Sequence, residues 1–258
     1  MNNNPCITTL PILFQDEQYV AINKPNGLLV HRTRIAEENK TFALQILRDQ
    51  LGRRVYPLHR LDRPTSGVLL FGLSKESAQR LMPAFEERKV EKIYLAIVRG
   101  YVIEQETIEY ALKEEKYKDP QSAITTYKRI ATIELPIPVG RYQTARYSLV
   151  EAKPYTGRMH QIRKHFAHIS HYIVGDKKHG DWRHNQMFSE QFHSPYLLLH
   201  ACSLDFIHPY TGKPIQVEAP LPEHFKNIIA KFGWEKQVES WKQQSLIERG
   251  SKYSSTYE

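Results

Sequence analysis

Cysteine is nearly missing from this chain: Cys6 and Cys202 are the only two in 258 residues. Two thiols so far apart count against a disulfide framework and a cysteine-rich metal site, and fit a reducing cytoplasm. Long apolar runs are missing too, and none approaches the roughly 20 residues a membrane-crossing helix needs. The start, MNNNPCITTLPILF, lacks the charged beginning and extended apolar core of a secretory signal. A soluble cytoplasmic protein with no membrane contact is the expectation. No GxSxG elbow, Walker loop or HExxH is present, which removes the commonest hydrolase, nucleotide and zinc-protease signatures. No low-complexity linker or internal repeat divides the chain.

Acidic residues are the scarcer sign of charge. Thirty-six Lys and Arg stand against 28 Asp and Glu, a formal net charge of +8. Such a balance suits a polyanion, nucleic acid before anionic membrane. The excess is uneven. Residues 157–184 hold Arg158, Arg163, Lys164, Lys177, Lys178 and Arg183 against Asp176 and Asp181, with six of the twelve histidines.

The pattern along the chain is strand-rich. ILFQDEQYVAIN (12–23) reads as two short strands about Asp16-Glu17, and KPNG (24–27) as a turn. TFALQILRDQLG (41–52) places Ala43, Leu44, Leu47 and Leu51 on one helical face. RVYPL (54–58) and GVLLFGL (67–73) read as strands. Ser74 reads as the N-cap of a helix carrying Ala78, Leu81, Met82 and Phe85, with a kink or break expected at Pro83. Further strands are expected at 91–102, 123–135 and 144–154, a helix at 159–170, a hairpin at 197–220 and a last helix at 222–234. The expected fold is α+β: one domain over residues 1–234 on a large, mostly antiparallel mixed sheet with flanking helices. Residues 235–258 turn polar and are expected to form a partly disordered tail.

Between the strands at 54–58 and 67–73 lies HRLDRPTSG (59–67). Asp62 sits between Arg60 and Arg63, cations that favour its ionised form. A carboxylate charged before substrate arrives suits a nucleophile or base, not a general acid. In an extended segment Arg60 and Asp62 share a face, and Pro64 and Gly67 stiffen the turn beside them. On spacing alone, a structural Arg–Asp pair near a turn is the favoured reading of these residues. No second acid lies nearby, so a two-carboxylate glycosidase is not indicated.

The stretch HRLDRPTSG resembles the signature of the RluA-type pseudouridine synthases. Other segments agree in order: NKPNGLLVH (23–31), EKIYLAIVRG (91–100), TGRMHQIRKHFAHISHYIVGDKKHG (156–180) and LLLHACSLDFIHP (197–209). HRLDRPTSGVLL, GRYQTARYSLVE (140–151), GDKKHGD (175–181) and FGW (232–234) are most similar to a subgroup acting on tRNA. Two details stand apart, Pro83 in a helix and His179 where many relatives have Tyr. The resemblance implies a catalytic domain without an S4-like RNA-binding domain, a central active-site cleft, and Asp62 as catalytic residue. It implies that Arg163 pairs with that carboxylate, that Tyr94 stacks on the target uracil with Lys92 two residues before it, and that Arg60 fills the space of a flipped base. The reaction breaks C1′–N1 of uridine and joins C1′ to C5, which calls for no redox cofactor and no metal. Attack on C1′, addition at C6 and removal of a sugar proton all remain open for the aspartate.

His31, Arg63, Arg158, His160, Lys164, Lys177 and Lys178 are candidate RNA contacts. On the 159–170 helix, His160, Lys164, His168 and His171 make a basic stripe beside Ile162, Phe166 and Ile169. Histidines alone, without Cys or Glu, read as a polar face and not as a zinc site. tRNA is the expected partner, with the T arm and acceptor stem as the implied region, and no obligate protein partner is implied. Ribosomal RNA is the alternative substrate; a non-catalytic RNA-binding protein and a metal-dependent nuclease are the alternatives in other classes.

Overall fold

The structure is a computed structural model that describes residues 7–31, 41–113 and 119–254; Cys6 and the last four residues of the polar end lie outside the described residues. In chain order the elements are β1 (Ile12–Gln15), β2 (Tyr19–Lys24), α1 (Ala43–Leu51), β3 (Tyr56–Pro57), β4 (Ser66–Gly72), α2 (Lys75–Glu86), β5 (Glu91–Arg99), β6 (Gln105–Glu109), β7 (Ile124–Leu135), β8 (Ala145–Pro154), α3 (Gln161–His168), α4 (Trp182–Phe192), β9 (Leu199–Ile207), β10 (Pro214–Glu218), α5 (Glu223–Lys231) and α6 (Glu235–Ser254). The α+β class is as expected. The chain forms two compact units, Met1–Lys92 with His200–Pro220, and Ile93–Leu199 with Leu221–Glu258. Two of their three chain boundaries fall inside β5 and β9, where composition marks no break, and the third falls between β10 and α5.

In the first unit the strands run β1-β2-β4-β9, with β3 also on β4 and β10 on β9. The β4–β9 pair is parallel and the other pairings of this unit are antiparallel. Every residue of β4 (SGVLLFG) is buried, the pattern of a strand covered on both faces. Val68 and Leu70 pack with Leu81 of α2 and with Leu204 and Phe206 of β9. Ser74 caps α2 as expected, its hydroxyl accepting from the Ser77 amide at 3.0 Å. The helix is not broken at Pro83; it runs on to Glu86. Proline there leaves only the carbonyl of Gln79 without its helical donor, and Gln79 is exposed, so water can replace the bond.

The second unit holds the antiparallel order β5-β8-β7-β6. The β7–β8 ladder runs from Thr125↔Pro154 to Leu135↔Ala145, with a bulge between Arg129 and Ala131. Tyr147 of β8, Phe188 of α4 and Phe232 form an aromatic core, with ring centroids 4.9 Å apart for Tyr147–Phe188 and 5.9 Å for Phe188–Phe232. The stretch expected as a polar tail is instead helix α6 up to Ser254. Its inner side is Val238, half-buried Trp241, Ser245 and Arg249, and Trp241 Nε1 donates to Glu151 Oε2 at 2.6 Å. Because two of these inward positions are Ser and Arg, hydropathy carries no helical period to read.

Candidate active site

HRLDRPTSG forms the connection of the β3–β4 hairpin. Its neck is closed by Leu58 N donating to Leu70 O at 3.1 Å. The next rung is made by a side chain, as Leu70 N donates to His59 Nε2 at 3.0 Å. That bond needs an unprotonated Nε2. Burial pushes the His59 pKa down to about 3, helped by the charge of Lys92, so the ring stays neutral. His59 also stacks on Phe85 of α2 at 5.5 Å. A turn follows, with Thr65 N donating to Asp62 O at 3.0 Å.

The far side of the loop is locked by β9. Gly67 has φ +114, and a Cβ there would lie 2.1 Å from the carbonyl oxygen of Ala201, its parallel partner. Only glycine allows that approach and that backbone. Ser66 Oγ lies 2.8 Å from His200 Nδ1, and His200 Nε2 lies 3.3 Å from the Ala219 carbonyl. With Nε2–H donating to Ala219, Nδ1 accepts from Ser66. The LHA segment therefore holds the serine and glycine of TSG.

The KPNG turn clamps the same loop. Gly27 N donates to Arg63 O at 2.8 Å, Arg63 Nε to Gly27 O at 3.0 Å, and Asn26 Nδ2 to Pro64 O at 2.6 Å. Lys24 is fully buried, at 0% exposure. Its Nζ donates to the carbonyls of Leu28 (2.9 Å), Pro25 (3.0 Å) and Arg63 (3.2 Å). Three carbonyls match the three N–H bonds of an ammonium. Burial nonetheless pushes the Lys24 pKa down to about 7, while the Asp62 charge pulls the other way. Asp62 itself is half-buried, whereas Arg60 and Arg63 are exposed. The buried cation beside this carboxylate within the first unit is thus Lys24. Its residue type inside NKPNG was visible in the sequence, but not its burial.

In the second unit, Tyr94 is nine-tenths buried on β5, paired in register with Ala152. Lys92, the last residue of the first segment of the first unit, is half-buried, and burial lowers its pKa. The helix expected at 159–170 is shorter, Gln161–His168, because His160 adopts φ 57 at its start. Gln161 stitches this start to β7: Oε1 accepts from Thr156 Oγ1 (2.6 Å) and Arg158 N (3.0 Å), and Nε2 donates to Ile124 O (2.9 Å). Arg163 follows, buried at 5% exposure, with Nε and Nη2 each 2.7 Å from an oxygen of Asp176. Burial alone would raise the Asp176 carboxyl. The bonds and charge of Arg163, with the His179 and Lys178 amides, overcome this and hold it below the usual range. Sequence reading missed that Asp176 holds Arg163; its signal is the GD pair after HQIR. Gly175 has φ +80, and a Cβ there would meet the Tyr196 carbonyl at 1.8 Å, so the loop carrying Asp176 is as closely held as the Gly67 turn.

The candidate RNA contacts divide by exposure. His31, Arg63, Lys177 and Lys178 are exposed. Arg158, His160 and Lys164 are half-buried with protein partners: Ser122 O at 3.4 Å, His179 Nε2 at 2.9 Å and Lys113 O at 2.8 Å. Of the expected helix stripes, Ile162 and Phe166 are buried, and His168 stacks on Tyr110 at 3.6 Å. Among the described residues, no group of three or more His, Cys, Asp or Glu could hold a metal ion. No helix among them is long and apolar enough to cross a membrane.

The model of a family described as RNA pseudouridylate synthase matches residues 18–168, a span containing Lys24, Asp62, Tyr94 and Arg163. The chain belongs to that family. It is 48% identical over 239 residues to the tRNA pseudouridine synthase C of Vibrio cholerae, covering 89% of this chain and 98% of the relative. The Haemophilus influenzae protein of the same name is 47% identical over 236 residues, covering 88% and 99%. Among solved structures, the human RNA Pseudouridylate Synthase Domain Containing 1 is similar in fold, with a TM-score of 0.67 at 24% identity, over 83% of this chain and 84% of that one. This pseudouridine synthase is therefore an isomerase by family.

Proposed function

We propose that this pseudouridine synthase isomerises a uridine of tRNA in the T arm and acceptor stem region, with Asp62 as the catalytic carboxylate. The observation that carries the substrate is the 48% identity to a tRNA pseudouridine synthase C across 98% of that relative's length. What supports Asp62 is its loop. A half-buried carboxylate is set on a turn bound by His59, Gly67, the Ser66–His200 pair and the KPNG clamp, so its aim is fixed before RNA arrives.

The chemistry conserves every atom. The C1′–N1 bond of uridine breaks, C1′–C5 forms, and the proton on C5 passes to N1. Asp62 acts by attack on C1′, by addition at C6 or by taking a sugar proton, each of which needs the anion. Tyr94 offers a ring to the uracil. Arg163, whose guanidinium Asp176 orients, is the proposed cation keeping the carboxylate charged. Arg60 is exposed, as a side chain filling the place of an everted base must be. The setting is cytoplasmic, consistent with the cysteine content.

Incubating the purified protein with unmodified tRNA and with ribosomal RNA fragments, then mapping pseudouridine, tests both substrate and residue. The expected result is one modified position in tRNA, lost in Asp62→Asn with unchanged melting temperature. Modification of ribosomal RNA alone refutes the substrate, and an active Asp62→Asn refutes the catalytic role.

A further inference from the structure

A second feature lies entirely in the second unit. Arg99 at the end of β5, the 139–142 turn and the start of α4 line a cleft of about 570 Å³. The turn is closed by two backbone bonds, Val139 N to Tyr142 O at 3.0 Å and Tyr142 N to Val139 O at 3.3 Å. Three guanidinium groups face the cleft, from Arg99, Arg141 and Arg183, against one carboxylate, Asp181. Asp181 is already engaged. Its Oδ2 takes Arg99 Nη1 at 2.8 Å, and its Oδ1 caps α4 through Arg183 N at 3.1 Å. His184 adds no charge at neutral pH. Burial pushes its pKa down to about 4, and Nδ1 lies 2.6 Å from Tyr147 Oη. Three cations less one anion leave the lining at +2.

Arg141 and Arg183 are exposed, and neither has a carboxylate partner among the described residues. Each lies near an exposed aromatic ring instead: Arg141 is 5.1 Å from the Tyr142 ring and Arg183 is 5.7 Å from that of Trp182. Arg141 Nη2 also donates to Tyr142 Oη at 2.9 Å. That bond and charge, with the charge of Arg99, hold the exposed phenol below its usual range, a sign of positive potential in the cleft. Guanidinium forks beside a ring match a phosphate and its adjoining nucleotide.

We propose that the cleft is a phosphate subsite in which Arg141 and Arg183 hold a phosphodiester of the RNA substrate. The inference rests on the tRNA reading above and extends it to a contact distinct from Asp62 chemistry. Arg99 and Asp181 form the fixed floor, and the two exposed arginines supply the binding charge.

Binding of unmodified tRNA is measured from about 50 to about 400 mM salt. The proteins are the parent, Arg141→Ala/Arg183→Ala, Arg141→Lys/Arg183→Lys, and Lys226→Ala as an exposed-cation control. Each phosphate contact contributes roughly 0.7–0.9 to the slope of log K against log salt, so the double alanine variant should lose about 1.4–1.8. Its affinity should fall about tenfold at low salt and converge on the parent as salt rises. The turnover rate at saturating tRNA and the melting temperature should not move. The double lysine variant keeps the charge and should recover most of the slope. A slope for the double alanine variant no lower than that of Lys226→Ala overturns the subsite. So does protection of the cleft by inorganic phosphate in the parent with tRNA affinity untouched by the substitutions, which would make it a small-anion site. A parent that forms no pseudouridine in tRNA defeats the functional reading instead, and is read from activity, not from these slopes.

Discussion

Replacing Lys24 by methionine tests the buried cation beneath the Asp62 loop. Methionine keeps most of the side-chain volume and removes the charge and three hydrogen bonds. An ordinary lysine has a pKa of about 10.4, and burial brings Lys24 down to about 7. Between these values the unfolded chain binds the proton more often than the folded one. Folding stability therefore rises with pH across that window, by at most about 1.4 kcal/mol per pH unit. Integrated from pH 7 to pH 9, Lys24 should contribute a gain of about 2 kcal/mol. For a chain of this size that is roughly 4–8 °C in melting temperature. Thermal and denaturant unfolding of the parent and Lys24→Met at pH 7, 8 and 9 measures it. Other titrating groups are common to both proteins, so the difference between the two curves isolates this one. The gap should change in the parent's favour by that amount as pH rises. Parallel curves would mean that Lys24 titrates as a solvated lysine, and the account of its burial would be wrong.

Two more outcomes follow from the geometry around Gly67 and Arg163. Gly67→Ala forces a Cβ against the Ala201 carbonyl at 2.1 Å, so it should cost roughly 3 kcal/mol or more and abolish activity; a melting temperature within 2–3 °C of the parent, by the same size scaling, would contradict the close approach. Arg163→Leu leaves Asp176 buried without its bidentate partner, for a loss of about 3–5 kcal/mol at neutral pH. In the parent, the lowered Asp176 pKa means stability present above the unfolded value of about 4 and lost as pH falls through the folded one. The gap between parent and Arg163→Leu should therefore narrow in acid, and a constant gap in acid titrations would refute the pairing.

The sequence made much of this legible because most elements carry their own punctuation. Ser74 and the 3.6-residue spacing after it gave α2, and the apolar run of GVLLFGL gave β4. The α3 helix was expected too long because nothing in MHQIR marks His160 as left-handed. Helix α6 was missed because Ser245 and Arg249 occupy its inner side, and β6 because Ile108 alone of QETIE is buried. Asp62, Tyr94 and Arg163 could be named as candidates from motifs. Lys24 and Asp176 could not be given roles, since what sets them apart is burial, and burial follows from contacts between segments far apart in the chain.

One consequence concerns the order in which the protein is made. Ser66 meets His200 across 134 residues of sequence. At ordinary elongation rates, on the order of 10 s passes between synthesis of the Asp62 loop and arrival of the strand that locks it. Until then the Asp62 carboxylate sits on a hairpin that β9 has not yet secured, so a chain cut short ahead of β9 lacks both the Ser66–His200 bond and the Gly67–Ala201 pairing.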